Sequence, residues 1–203
     1  MLSWGPGMTL AIVPAAGASR RMGRPKLLLP YGQSTIVGAL AAALRAGGAS
    51  PVVIVAAHGD TELQDQARAF GALVAVNPDP ERGMLSSIRE GLAALGGTGR
   101  LAQRGEVMLV APADLPALRP GTVAELLWRR AAAGAPLAVP TWRGQRGHPL
   151  AIAPDLLPEI DTLDPAIGLK QLLEHHAAAV LEVPVDDPGA VRDVDTPEDY
   201  QRR

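Results

Sequence analysis

The sequence holds no cysteine in its 203 residues. That excludes disulfides, thiolate metal sites and a cysteine nucleophile, suits a reducing cytoplasm, and leaves any metal to oxygen or imidazole ligands. Net charge is scarce as well, at −2, so no basic field exists to hold a polyanion and nucleic acid is excluded as a partner. Long apolar runs are missing. Leu10 to Ala16 is far too short to cross a bilayer and follows no basic segment of a secretory signal, so neither membrane insertion nor export is expected. Two phosphate-binding signatures are absent too: no loop ends in GKS or GKT, and none has GxGxxG spacing, which weakens the P-loop and dinucleotide-fold readings.

What remains is an ordinary globular composition, 47% hydrophobic and 20% charged, in a length that suits one α/β domain with a substantial core. Residues 1–8 read as a loose leader and 9–203 as the domain. Short apolar strands alternate with helices: strand Leu10–Ala15, helix Thr35–Ala46, strand Pro51–Ala57, helix Thr61–Ala69, strand Ala72–Asn77 and helix Met84–Leu95. A Gly-rich surface loop is expected at Gly96–Arg104, then strand Val107–Ala111, helix Val123–Ala133, strand Pro136–Pro140, a less regular segment from His148 to Val183, and a closing helix at Thr196–Arg202. Near-continuously apolar strands in this rhythm predict a single Rossmann-like α/β domain, a mostly parallel sheet covered by helices on both faces, with ligands at the carboxyl ends of the strands.

The residues that carry chemistry fall at those ends. The loop after the first strand, Pro14 to Lys26, gathers Ala15, Ala16, Gly17, Ser19, Arg21 and Lys26. Small residues let backbone N–H groups approach phosphate oxygens, hydroxyls donate further bonds, and the cations neutralise a triphosphate. An exposed turn with solvated cations is the bland alternative. Asp114, just past strand Val107–Ala111, is placed to anchor a Mg²⁺–nucleotide complex, since Mg²⁺ takes few carboxylate oxygens beside water and phosphate; a turn-closing Asp would look the same. The acidic tail Asp186 to Tyr200 offers Asp193 or Asp195 as a second metal ligand, Asp195 being preferred, although Thr196-Pro197-Glu198-Asp199 also reads as a helix start. Between them, the turn Trp142 to Pro149 brings Arg146 and His148 as candidates to meet an anionic or heterocyclic acceptor, or else forms a plain hairpin. Asn77, Gly83 and Ser87 mark a loop and helix start where free N–H groups favour an anion or simply a cap.

Taken in order, these segments resemble the molybdenum cofactor cytidylyltransferase branch of the MobA-like nucleotidyltransferases. The family pattern LAAGxSxRMGxxK is met by Ala15, Ala16, Gly17, Ser19, Arg21, Met22, Gly23 and Lys26. GMxxSI is met by Gly83, Met84, Ser87 and Ile88, DxP by Asp114 and Pro116, RGHP by Arg146 to Pro149, and DxDTPEDY by Asp193 and Asp195 to Tyr200. Pro14, Leu115 and Lys170 depart from the usual Leu, Gln and Arg.

The resemblance implies an enzyme that joins CTP to molybdopterin-bound molybdenum, with Mg²⁺ as cofactor and a molybdenum hydroxylase or its chaperone as a further partner. Arg21, Lys26 and Asp114 would be catalytic. Asp114 and Asp195 would hold the metal. Ala15, Ala16, Gly17, Ser19, Arg21, Lys26, Asn77, Gly83, Ser87, Arg146 and His148 would bind the nucleotide and acceptor. Guanylyl relatives carry LAGG in the first loop, so the methyl of Ala16 favours a pyrimidine over a purine. The competing readings are a nucleotidyltransferase for another phosphorylated acceptor or for GTP, a non-catalytic cofactor-binding maturation chaperone, and a small redox relative that uses a dinucleotide.

Overall fold

The computed structural model describes residues 8–17 and 25–201. Ser19 and Arg21, and residues 1–7 of the expected leader, lie outside that range. The central sheet contains β1 (Thr9–Pro14), β4 (Val52–Ala57), β5 (Leu73–Asn77), β6 (Val107–Val110), β7 (Leu137–Trp142), β8 (Gln145–Arg146), β9 (Leu150–Ile152) and β10 (Val180–Pro184), while β2 (Pro30–Tyr31) and β3 (Ser34–Thr35) form a small ribbon. Strand order is β10-β7-β9-β6-β1-β4-β5, with β8 paired to β7. β4, β1 and β6 run parallel, as do β4 with β5 and β7 with β10, whereas β9 is antiparallel to both β6 and β7. The sheet is thus mostly parallel, with one reversed strand at its centre.

Alternation along the strands divides the core in two, because successive side chains point to opposite faces. Ala11, Val13, Ile54 and Leu109 pack on one side with Leu40 of α1 (Ile36–Ala46), Ala67 of α2 (Thr61–Ala69) and Leu126 of α5 (Pro120–Ala133). Leu10, Ile12, Val55 and Met108 pack on the other with Ile88 of α3 (Met84–Ala94), Leu101 of α4 (Thr98–Gln103) and Leu172 of α6 (Leu169–His175). Helices therefore cover both faces, and the central strands β1, β4 and β6 are apolar along most of their length because neither side meets water. Thr35 and Asp60 cap α1 and α2 by accepting from Gly38 N and Leu63 N, in the usual way for an oxygen-bearing N-cap.

Two segments differ from the sequence reading. Gly96–Arg104 is not a loop: its middle forms α4, whose Leu101 is buried. The glycines misled, because Gly97 serves as the N-cap with φ 86° and does not break the chain. The segment 148–183 is more ordered than expected, holding β9, a 3₁₀ stretch over Pro154–Thr162, α6 and β10. Arg89 of α3 fastens that stretch by donating to the carbonyls of Ile160, Asp161 and Leu163, a long-range tie that no local periodicity reports.

Candidate functional site

Parallel strands deliver their carboxyl ends to one rim. Ala15–Gly17 follow β1, Asn77 ends β5, and Asp114 lies beyond β6. The antiparallel β9 begins at that same rim, so His148 stands just ahead of it. The fourth contributor returns from the far end of the chain: Val194 N donates to the Asp114 carbonyl at 2.9 Å, which lays Asp193 and Asp195 beside Asp114.

Lys26 occupies the middle of this cluster. Its Nζ donates to Asp114 Oδ2 and to Asp195 Oδ1, both at 2.7 Å. The three side chains are only 13%, 18% and 24% exposed in the order Lys26, Asp114, Asp195. Burial alone would lower the Lys26 pKa, but the hydrogen bonds and charges of Asp114 and Asp195 outweigh it and raise the pKa above 10.5. The ammonium is therefore charged at any physiological pH, and it holds two carboxylates that would otherwise repel each other. Asp114 Oδ1 is buried and has no hydrogen-bond partner among the described residues. Burial, reinforced by Asp195 and Asp114, also raises the Asp193 pKa. The rim thus concentrates more negative charge than one lysine balances.

His148 faces the same charges. His148 is exposed at the rim, yet the protein mass around its ring lowers its pKa below 6.5, with Asp114 and Asp193 pulling it back up, so a neutral ring is favoured at neutral pH. The turn is fixed from behind, because His148 N donates to the Ala190 carbonyl at 2.7 Å. Gly147 presses on Ala190, and a Cβ there would collide with that carbonyl. Arg146 is exposed and pairs with Glu182 of β10 at 2.7 Å, which turns it to the sheet and separates it from the carboxylate cluster.

The β5–α3 corner is tied internally. The buried Asn77 amide donates to Ser86 Oγ at 2.8 Å and Ser87 Oγ at 2.9 Å, and its oxygen accepts from Asp79 N at 2.9 Å. Gly83, at φ 86°, caps α3 without a side chain. Asn77 and Ser87 therefore shape this corner, and the Gly83 backbone is itself engaged, its N donating to the Pro80 carbonyl and its carbonyl accepting from Ser86 N and Oγ. Ala15 and Ala16 are buried and Gly17 is exposed at the mouth of the first loop. Among the described residues, no group of three or more His, Asp or Glu is arranged to hold a metal unaided, and no helix is long and apolar enough to cross a membrane.

Residues 11–180 match the MobA-like NTP transferase domain. The chain belongs to that family. It is accordingly a nucleotidyltransferase by fold and sequence. Among similar relatives, the nicotine blue oxidoreductase of Paenarthrobacter nicotinovorans is 33% identical over 199 residues, covering 94% of each chain. The molybdenum cofactor cytidylyltransferase of Escherichia coli is 26% identical over 194 residues, 93% of this chain and 92% of that one. The molybdenum cofactor guanylyltransferase of Sinorhizobium fredii is 30% identical over 185 residues, 88% and 80%. In three dimensions the chain superposes on the crystal structure of Rv0371c from Mycobacterium tuberculosis with a TM-score of 0.79 at 28% identity, covering 98% of both chains. A manganese complex of that mycobacterial protein gives 0.70 at 25%, covering 96% and 97%.

Within this family frame, the Lys26 bridge and the structural role of Asp187 escaped the sequence, whereas the helix start at Thr196–Asp199 was legible. The ion bridge from Lys26 to both aspartates needs the fold, since its partners lie 88 and 169 residues away. Asp187, one of the tail acids, is buried and serves structure: it accepts from Arg119 N, Thr122 Oγ1 and Gly189 N. Asp199 likewise accepts from Thr196 N and Thr196 Oγ1 and starts α7 (Pro197–Gln201). The Asx- and cap-forming spacing of these two acids is a signal that could have separated them from Asp193 and Asp195.

Proposed function

We propose that the protein transfers CMP from CTP to the terminal phosphate of molybdopterin-bound molybdenum, releasing pyrophosphate. The observation that carries this reading is the buried, unpartnered Oδ1 of Asp114 beside a second carboxylate, both oriented by Lys26 at the strand ends. A carboxylate oxygen without a donor in a partly buried site is a cation's position, and hard oxygen donors fit Mg²⁺. Asp114 and Asp195 are the residues that would hold it. The ion, when bound, supplies charge neutralisation for the nucleotide phosphates.

The protein's own groups do the rest. An oxygen of the acceptor phosphate attacks the α-phosphorus in line, forming one P–O bond as the bond to the β-phosphate oxygen breaks and pyrophosphate departs with its electron pair. Such a displacement needs positioning and positive charge and no covalent enzyme intermediate. Lys26 fixes both carboxylates, the cation of Arg21 and the backbone of Ala15–Gly17 are assigned to the triphosphate from the loop motif, and a neutral His148 would offer the acceptor a hydrogen bond without adding charge. Ala16 would favour a pyrimidine by filling the space beside the base, and a cytosolic location belongs to the same proposal. Similarity to both cytidylyl- and guanylyltransferases supports the reaction type more than the base.

The likeness to nicotine blue oxidoreductase favours a second reading, dinucleotide-driven reduction of a heterocycle at the same rim, against which stands the absence of GxGxxG. Mass spectrometry of the acceptor after incubation with CTP and Mg²⁺ separates these readings and the chaperone alternative. A gain equal to one CMP supports transfer, whereas an unmodified acceptor, bound or reduced, rejects it.

A further inference from the structure

We propose that Arg143 and Arg192, held over the ring of Trp142, form the subsite that receives the anionic phosphate of the acceptor. This rests on the reading above for the acceptor's chemistry. The β7–β8 hairpin turns through Arg143 and Gly144, at φ 51° and 80°. Left-handed backbone is ordinary for glycine and strained for arginine, so the turn places a long cation where Asn, Asp or Gly would be easier. The Arg143 guanidinium carbon lies 4.5 Å from the Trp142 centroid, and that of Arg192 lies 5.3 Å from the same centroid. The two charges therefore cannot be farther apart than the sum of those distances.

Several other arginines are already neutralised. Arg68, Arg104, Arg129 and Arg146 each reach a carboxylate within 2.8 Å. Neither Arg143 nor Arg192 makes an ion pair among the described residues, and Asp193, next in sequence to Arg192, does not pair with it. Two like charges held against one indole ring repel. An anion bound between them would relieve that repulsion and take the paired N–H groups that guanidinium offers a phosphate.

Location identifies which phosphate. Arg192 and Asp193 line a recess of about 530 Å³, and Asp193 is electrostatically coupled to Asp114 and Asp195. Arg192 thus borders the transfer centre, and Arg143 is joined to it across the Trp142 ring. β7 lies three strand spacings from β1 in the sheet, roughly 14 Å, so the hairpin is on the far side of Asp114 from the nucleotide loop. The nucleotide enters over β1, and the Arg pair meets what comes from the other side.

Tryptophan emission provides a test that needs no turnover. In the presence of EDTA, inorganic phosphate is titrated into the wild type, Arg143→Gly, Arg192→Gln and Trp142→Phe, the last defining emission from the other tryptophans. CTP is titrated in parallel. The expected result is a Trp142-dependent phosphate response whose midpoint rises tenfold or more in either arginine variant, while CTP midpoints stay within twofold. With molybdopterin-bound molybdenum as acceptor, the same variants should raise its KM and leave that for CTP unchanged. Equal phosphate midpoints in wild type and variants, no response at all, or a parallel loss of CTP binding would overturn the subsite. Failure of the cytidylyl reading would instead abolish pyrophosphate release in every protein and leave the phosphate titrations as they are.

Discussion

Asp114 carries the largest consequence of any single residue, because one of its oxygens is held by Lys26 and the other is buried without a donor. Asp114→Ala should reduce nucleotidyl transfer on the order of a hundredfold or more, the scale of removing a principal electrostatic stabiliser. Its melting temperature should remain close to wild type, since no core contact depends on the carboxylate. Steady-state kinetics within a few-fold of wild type would reject the role. Lys26 acts through its neighbours. Lys26→Met leaves Asp114 and Asp195 facing each other without the intervening cation, so the variant should melt below wild type and regain more stability on addition of Mg²⁺ than wild type does. Calorimetry with and without Mg²⁺ checks this, and an equal Mg²⁺ response in both proteins would contradict it.

At the scale of elements, the site is assembled by the return of the chain after β10. Asp187 bonds to the start of α5 through Arg119 N and Thr122 Oγ1, and to its own turn through Gly189 N, at 2.9, 2.6 and 2.9 Å. Gly189 then packs against the Ala117 backbone with no room for a Cβ, and Val194 N reaches the Asp114 carbonyl. These contacts aim Asp193 and Asp195 at the rim. Asp187→Ala would orphan buried donors and should cost about 2–4 kcal/mol, seen as a fall in melting temperature of roughly 4–16 °C. Activity should fall with it even below the transition, because the segment carrying Asp195 loses its anchor. Unchanged stability would mean that the anchor is redundant.

The same scale explains what could be read from sequence. Each of β1, β4 and β6 was legible because its residues are mostly buried on both faces and therefore apolar, β5 because its short apolar run ends at Pro78, and α1, α3 and α5 because one stripe faces the sheet. β8 and β9 were not, being two and three residues long, too short for any period to register. α4 was hidden by glycines that cap it. In the site, Asp114, Lys26 and Asp195 could be nominated one by one, but not their bridge, which depends on strand order. The Arg143–Trp142–Arg192 stack was invisible for the same reason, its members meeting only when the tail folds back on the β7–β8 turn.

For the whole molecule, the two-faced sheet provides one rim along which the proposed sites are spread: Ala15–Gly17 follow β1, Asp114 follows β6, and His148 and the Arg143–Arg192 pair lie toward β7. Membership of the MobA-like family makes the chain a nucleotidyltransferase, and the proposal centres its chemistry on the unpartnered oxygen of Asp114. The most direct measurement is pyrophosphate release with each of the four nucleoside triphosphates and Mg²⁺, in the presence and absence of molybdopterin-bound molybdenum. Release should require the acceptor, be fastest with CTP, and stop when EDTA is added. Acceptor binding without pyrophosphate from any triphosphate would contradict the assignment of this rim as a nucleotidyl-transfer centre.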